Sequence, residues 1–322
     1  KTIDALIDRY LSAVGKEGDA KAEGRALFAS ILRPILRLVS TPSLVVVPDG
    51  SLHRVPFAGL ADDQNRYLLE TRTISYAPSG TVFALLRSRK PAVPRELLAV
   101  GDVDYGGGFR SIAASFIFRG VRELRRDAVL GLPGSGDEVQ AVRAALGDVN
   151  SVVLSHADAT ETNFKRDAAK PLAVIHLALH ALADTSYPDR AALVFAPDAA
   201  AGEDGLLQVR EITRLPIVGT SLVTLSACDT SVGHMEGEEG VSSIVNAFLY
   251  AGARSAVATY WKVQDTATAD LMRALYLELG HGRTKADALR AAQLQLARSQ
   301  TELRQPFYWA AFELMGEGSD KI

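Results

Sequence analysis

Residues 221–231 read Ser-Leu-Val-Thr-Leu-Ser-Ala-Cys-Asp-Thr-Ser, and they contain the only cysteine of the chain. The short apolar run from Leu222 to Leu225, bounded by small residues, predicts a strand buried on both faces of a parallel sheet. Reactive groups in such sheets lie just beyond the carboxyl ends of the strands. Cys228 follows the predicted strand at that place. Because a lone cysteine is usually a small buried hydrophobe, its role depends on what lies beside it.

A second apolar run supplies a partner for the thiol. Residues 173–181 read Ala-Val-Ile-His-Leu-Ala-Leu-His-Ala, and His180 lies where the run breaks. A neighbouring histidine favours the thiolate form of a cysteine, which is the nucleophile in acyl transfer. His176 competes for this role, but it lies deeper in the run and is predicted to be a hydrogen-bonded core group. The sequence therefore predicts a Cys228–His180 dyad.

These two stretches resemble the two motifs of CHAT domains, which belong with the caspase, separase and gingipain cysteine proteases. The motifs are His-Leu-Ala-Leu-His-Ala at 176–181 and Leu-Ser-Ala-Cys-Asp-Thr at 225–230. The likeness covers roughly residues 25–318 in the family's order. The chain departs from the family at Leu179 and Ala181, where threonine and glycine are usual. Further matching stretches lie at 47–52, 56–60, 76–79, 237–240, 251–255, 260–265 and 306–312.

The resemblance implies an α/β fold, with a caspase-like, mostly parallel sheet flanked by helices. It divides the chain into N-terminal helices at 1–38, an inactive caspase-like half at 39–133 and an active half at 134–322. The first half includes a basic loop at 104–133. Since the sequence starts at Lys1 without a methionine, and such domains commonly follow tetratricopeptide repeats, we expect an upstream repeat or sensor module.

The predicted function is that of a cysteine endopeptidase acting on a protein substrate without a cofactor or metal. Backbone N–H groups near Ala181 and Cys228 would hold the oxyanion, and Asp229 is predicted to point away from the sulfur. By resemblance, bacterial relatives act in defence and cell-death pathways, some of them on pore-forming gasdermins. The alternative is a catalytically quiet CHAT scaffold that transmits a signal by binding, although the chain retains both Cys228 and His180.

Residues 258–265 predict the specificity pocket. They leave the strand that follows the Cys228 strand, so they lie near the nucleophile. Tyr260 and Trp261 would wall a pocket for a long aliphatic stem, and Asp265 would pair with a basic side chain at its base. The pattern Trp261-Lys-Val-Gln-Asp265 resembles one in separases, which cleave after arginine. A role of Asp265 as the N-cap of a helix at 266–279 stays open.

Composition excludes several other classes. A formal net charge of −3 gives no reason to expect nucleic acid or an anionic membrane as a partner. One cysteine allows no internal disulfide, which suits a reducing cytoplasm. We find no apolar run of about 18 residues that would span a membrane. The sequence lacks the glycine-rich motif of a nucleotide-binding domain. It also lacks the zinc-protease motif, because no Glu follows His176.

Local patterns predict the remaining elements. Residues 1–38 predict two helices separated by a loop at 15–24, and residues 44–48 predict a buried strand. Ser135 and Glu138 have the spacing of a helix-capping box. Arginines and aromatic residues within 104–133 predict a surface loop, with a nucleic-acid contact as a weaker alternative. Glycines within 233–240 predict a segment beside the nucleophile that can take several conformations.

Overall fold

The structure is a computed structural model that describes residues 2–91, 96–106, 131–132, 134–147, 150–182, 188–198, 202–226 and 238–322, with side chains from 243 onward in the last range. Most of the predicted basic loop lies outside the described residues, as does Cys228. The helices are α1 (Ile3–Val14), α2 (Lys21–Ile31), α3 (Arg33–Leu36), α4 (Leu68–Thr71), α5 (Gly80–Ser88), α6 (Ser135–Leu146), α7 (Glu161–Ala168), α8 (Val209–Ile212), α9 (Glu238–Ala251), α10 (Asp265–Gly280), α11 (Lys285–Ala297) and α12 (Pro306–Trp309).

Strands form one large sheet and one small sheet. The large sheet has eight strands in the order β1-β2-β11-β10-β9-β5-β3-β4, and the small one has the order β6-β7-β8. In the large sheet, β10 and β11 run antiparallel, and the other neighbouring pairs are parallel. The strands are β1 (Ser43–Val46), β2 (Thr73–Tyr76), β3 (Glu96–Val103), β4 (Asn150–His156), β5 (Val174–Leu177), β6 (Ala181–Leu182), β7 (Ala192–Val194), β8 (Leu206–Gln208), β9 (Leu222–Leu225), β10 (Ser255–Thr259) and β11 (Phe312–Gly316).

The large sheet is covered by helices on both faces, as the sequence predicted. Successive strand residues point to opposite faces, so Val174 of β5 joins one core cluster while Ile175 and Leu177 join the other. The first core packs against α6, α10 and α11, and the second packs against α7, α9 and the small sheet. The central strands β5 and β9 are buried along their whole length. This burial confirms the interpretation of their continuous apolar runs.

The large sheet combines strands from both predicted halves of the chain. Strand β3 lies between β5 and β4, and the last strand, β11, pairs with β2. The sheet therefore does not divide at residue 133. The assignment of one inactive and one active half stays a prediction.

Three local predictions near the N-terminus are wrong in part. The predicted loop at 15–24 ends earlier, because α2 begins at Lys21, and residues 1–38 hold three helices. The helical periodicity of residues 1–38 also predicts buried apolar faces that include Ile3, Ile35 and Leu38, but these three residues are exposed. The strand predicted at 44–48 forms as β1, but it is the edge strand and only half-buried. Periodicity cannot show which strand ends up at the edge of a sheet.

Helix caps give a mixed result. Thr160 caps α7 and Thr284 caps α11 through their side-chain oxygens. The predicted capping box of Ser135 and Glu138 is wrong. Helix α6 begins after Gly134, which has a φ of 94°, and Ser135 Oγ instead accepts the N–H of Asp102 at 2.9 Å. Glu138 turns into the protein interior.

No helix in the described part of the chain is long and apolar enough to cross a membrane.

Candidate active site

The two strands that lead to His180 and Cys228 are direct neighbours in the large sheet. Leu177 of β5 lies opposite Leu225 of β9 in a parallel register. The ladder continues beyond both strands, because the N–H of Ser226 donates to the carbonyl of Leu177 at 2.9 Å. The carboxyl ends of β5 and β9 therefore lie side by side at one edge of the sheet.

His180 is held at this edge by the residues around it. Its N–H donates to the phenol oxygen of Tyr105 at 3.3 Å, and the two ring centroids are 5.1 Å apart. Its carbonyl accepts the N–H of Val194 at 2.9 Å. Burial raises the pKa of Tyr105 well above its usual range, so the phenol stays neutral. His180 itself is 5% exposed, so a few well-defined contacts fix its backbone at the strand end.

Of the two predicted oxyanion donors, the structure describes only Ala181. Ala181 begins β6 and pairs with Leu193 of β7 in the small sheet, directly after His180. Cys228 and Asp229 lie outside the described residues. Their roles stay predictions.

His176 lies within β5, fully buried, as the sequence predicted for a core histidine. Its Nε2 is 3.2 Å from a carboxylate oxygen of Glu138, and its Nδ1 is 3.2 Å from the Tyr276 hydroxyl. The same Glu138 oxygen accepts a hydrogen bond from the hydroxyl of Ser226. The sequence patterns did not indicate Glu138 or Tyr276 as partners of His176. A signal was present: Glu138 lies four residues before Val142 of the apolar face, so it projects toward the core.

The predicted specificity residues lie beyond β10, on the far side of β9 from β5. Trp261 is buried, stacks between Tyr260 and Phe307, and donates its indole N–H to the Phe307 carbonyl at 2.9 Å. The Tyr260 hydroxyl donates to the carbonyl of Val55 at 3.4 Å. Both aromatic side chains are thus packed in place by the core.

Asp265 is exposed and is the first residue of α10. The N-cap position belongs to Gln264, whose side chain makes no capping hydrogen bond. An N-cap role of Asp265 is therefore not what the structure shows. A carboxylate in the first turn is still favoured by the helix dipole.

One cluster of carboxylates in the described part of the chain is tight enough to share a cation. Glu161, Glu203 and Glu211 converge, and the ammonium of Lys165 lies 2.7, 3.0 and 2.9 Å from their oxygens. Burial raises the pKa of Glu161 to about 7. The lysine already supplies the positive charge, so the cluster is an ion-pair network that ties α7 to α8 and to the segment before β8.

The fold matches solved cysteine proteases. The Arg-specific cysteine proteinase gingipain R superposes with a TM-score of 0.50 at 8% identity, over 78% of this chain and 56% of its own. Separase of Saccharomyces cerevisiae, in its complex with securin, superposes with a TM-score of 0.51 at 14% identity, over 86% of this chain and 15% of its own. This chain spans only part of the length of either protein. At these identities the likeness concerns the fold, which is that of caspase-like proteases.

The family follows from the sequence as a whole. The model of the CHAT domain matches residues 21–317, and the chain belongs to the CHAT family. No curated protein matches it. The resemblance first drawn from residues 176–181 and 225–230 is confirmed. Family and fold together support a function of the cysteine-protease type.

Proposed function

We propose that the chain is a cysteine endopeptidase in which Cys228 is the nucleophile and His180 is the acid–base partner. The observation that carries the proposal is the register of β5 and β9. Leu177 and Leu225 are paired, and His180 and Cys228 each follow their paired leucine by three residues. In parallel sheets, equal extensions past aligned strand ends bring side chains to the same edge.

The chemistry follows from the two groups. The Cys228 thiolate attacks the peptide carbonyl, so an S–C bond forms and the carbonyl oxygen becomes an oxyanion. Backbone N–H groups of Ala181 and Cys228 would stabilise that charge. His180 then protonates the leaving amine as the C–N bond breaks. Water cleaves the resulting thioester, which releases the second product and restores the thiol.

Substrate choice is proposed to depend on a basic residue before the scissile bond. Asp265 is exposed at the start of α10, and its carboxylate suits a guanidinium or ammonium group. Tyr260 is half-buried close to the exit of β10 and would supply the apolar wall, with buried Trp261 stacked behind it at 6.1 Å. A bidentate pair with Asp265 would favour arginine over lysine.

The proposed setting is cytoplasmic, in a bacterial defence or cell-death pathway. An upstream repeat or sensor module would activate the protease, and a gasdermin-like pore-forming protein is one candidate substrate. These proposals rest on the family resemblance alone.

The deciding experiment is a proteome-wide comparison of newly formed protein termini in cells expressing the native chain or Cys228→Ala at equal levels. We expect a set of cleavages that only the native chain produces. If the two sets were identical under conditions that trigger the pathway, the chain would instead be a quiet scaffold that acts by binding.

A further inference from the structure

A buried polar cluster links the two strands of the proposed dyad below their carboxyl ends. Its centre is His176 of β5, which lies opposite Thr224 of β9. Both side chains are fully buried, on the face of the sheet covered by α6 and α10. A polar pair at the middle of an apolar layer is costly unless its hydrogen bonds are made.

Two helices supply polar partners for this pair, and each of them contacts both β5 and the β9 segment, including Ser226 directly after β9. From α6, the Glu138 carboxylate lies 3.2 Å from His176 Nε2 and accepts the Ser226 hydroxyl. From α10, the Tyr276 hydroxyl lies 3.2 Å from His176 Nδ1 and 2.7 Å from Thr224 Oγ1. The side chains around His176 are all buried; they belong to Glu138, Tyr276, Thr224 and Ser226.

One set of proton positions pairs Tyr276, Thr224, Ser226 and His176 Nδ1. With a neutral imidazole, the Tyr276 hydroxyl donates to His176 Nδ1, and His176 Nε2 lies 3.2 Å from the Glu138 carboxylate without the alignment of a hydrogen bond. The hydroxyls of Thr224 and Ser226 then donate to Tyr276 and Glu138. Buried hydrogen bonds of this kind restrict the arrangement of the elements that they join.

The position of the cluster connects it with the reaction. His176 precedes His180 by four residues, and Ser226 precedes Cys228 by two. Any change in the spacing of β5 and β9 at the cluster is transmitted over two to four residues to the proposed dyad. Small displacements of reacting groups are expensive, since about 1 Å can cost on the order of a hundredfold in rate.

We infer that Glu138 and Tyr276 are positioning residues, which hold the exits of β5 and β9 at the separation that His180 and Cys228 need. The inference rests on the proposed dyad and adds to it two residues that touch neither substrate nor thiol.

The test uses variants that remove one interaction at nearly constant shape. Tyr276→Phe removes the hydroxyl that joins His176 to Thr224, and Glu138→Gln removes the carboxylate charge. Tyr10→Phe is the matched control, because Tyr10 is also fully buried and its hydroxyl donates to the Pro56 carbonyl at 3.4 Å, in the packing of α1.

Two readouts are needed. The first is the rate at which iodoacetamide alkylates Cys228 at pH 7, which reports a single thiol because the chain has one cysteine. The second is the separation of kcat from KM on a peptide that the native chain cleaves. We expect Tyr276→Phe and Glu138→Gln to lower kcat about tenfold with KM within about twofold, and to slow alkylation severalfold. Tyr10→Phe should change neither, at a similar loss of thermal stability.

The outcomes distinguish an error in the proposed dyad from an error in the positioning role. If His180→Ala leaves alkylation unchanged, the dyad is wrong and this inference fails with it. If His180→Ala slows alkylation but Tyr276→Phe and Glu138→Gln behave like Tyr10→Phe in both readouts, the dyad stands and the positioning role is wrong.

Discussion

The phenol oxygen of Tyr105 accepts the backbone N–H of His180 at 3.3 Å. Tyr105 follows β3, which is the neighbour of β5 on the side away from β9. The exit of β5 is therefore flanked by β9 on one side and by the residues that follow β3 on the other. This contact orients the histidine through its backbone and its ring.

We predict that Tyr105→Phe lowers proteolysis severalfold, because the ring stays and only the acceptor of the His180 N–H is lost. The loss of one buried hydrogen bond should cost about 1 kcal/mol of stability. The control is Tyr67→Phe. The Tyr67 hydroxyl donates to the carbonyl of Asp19 at 2.9 Å, a comparable hydrogen bond from a buried tyrosine to the segment before α2, away from the proposed site. An equal loss of activity in both variants, measured against their unfolding curves, would remove Tyr105 from the site.

Substrate preference tests the role of Asp265. With a peptide library that varies the residue before the cleaved bond, we predict a preference for arginine in the native chain and its loss in Asp265→Asn. Asp270→Asn, an exposed position on the same helix, pairs with Arg273 and serves as the control. Cleavage mainly after leucine or methionine, or an unchanged arginine preference in Asp265→Asn, would leave Asp265 with only a helix-dipole role.

Activation is the subject of a third prediction. Glycine allows several backbone conformations at little steric cost, and Gly233, Gly237 and Gly240 follow the proposed nucleophile closely. We predict that the purified chain turns over peptides slowly and speeds up when an activating partner region is added. Residues 233–237 lie outside the described part of the structure. Full turnover by the chain alone, unaffected by any partner region, would contradict the prediction.

A buried lysine at the opposite edge of the sheet gives the fourth prediction. Lys285 is fully buried, donates to the Ser221 carbonyl at 2.9 Å and lies 2.7 Å from Asp320 Oδ1. Burial lowers its pKa from 10.5 to about 8 in spite of that ion pair. The unfolded chain therefore binds this proton more strongly than the folded protein between these values. Stability should rise with pH across that window, by up to about 3 kcal/mol.

The measurement is urea unfolding from pH 7.5 to pH 10.5 for the native chain and Lys285→Met. The difference between the two curves isolates the lysine, because the other titrating groups are shared. A difference that stays constant with pH would show that the pKa of Lys285 is not lowered in the folded state.

Particular residues show which parts of the fold could be predicted from the sequence. The runs at 173–181 and 221–231 predicted β5 and β9, and the small-residue ends predicted where those strands stop. Sheet order could not be predicted, because the packing of β3 between β5 and β4 depends on contacts between distant segments. The spacing of Ser135 and Glu138 matched a capping box. In the structure, the Glu138 side chain is instead buried beside His176 and Ser226, and it does not cap the helix. Glu138 and His176 are polar residues on otherwise apolar faces. This pattern could have indicated that the two side chains contact each other in the core.

The most direct test of the central claim is the rate at which new protein termini appear in cells expressing His180→Ala, compared with the native chain and Cys228→Ala at matched protein levels. The account predicts that His180→Ala falls to the level of Cys228→Ala, while the midpoint of thermal unfolding stays near that of the native chain. A His180→Ala variant that keeps most of the native cleavage rate, while Cys228→Ala has lost it, would contradict the proposed dyad.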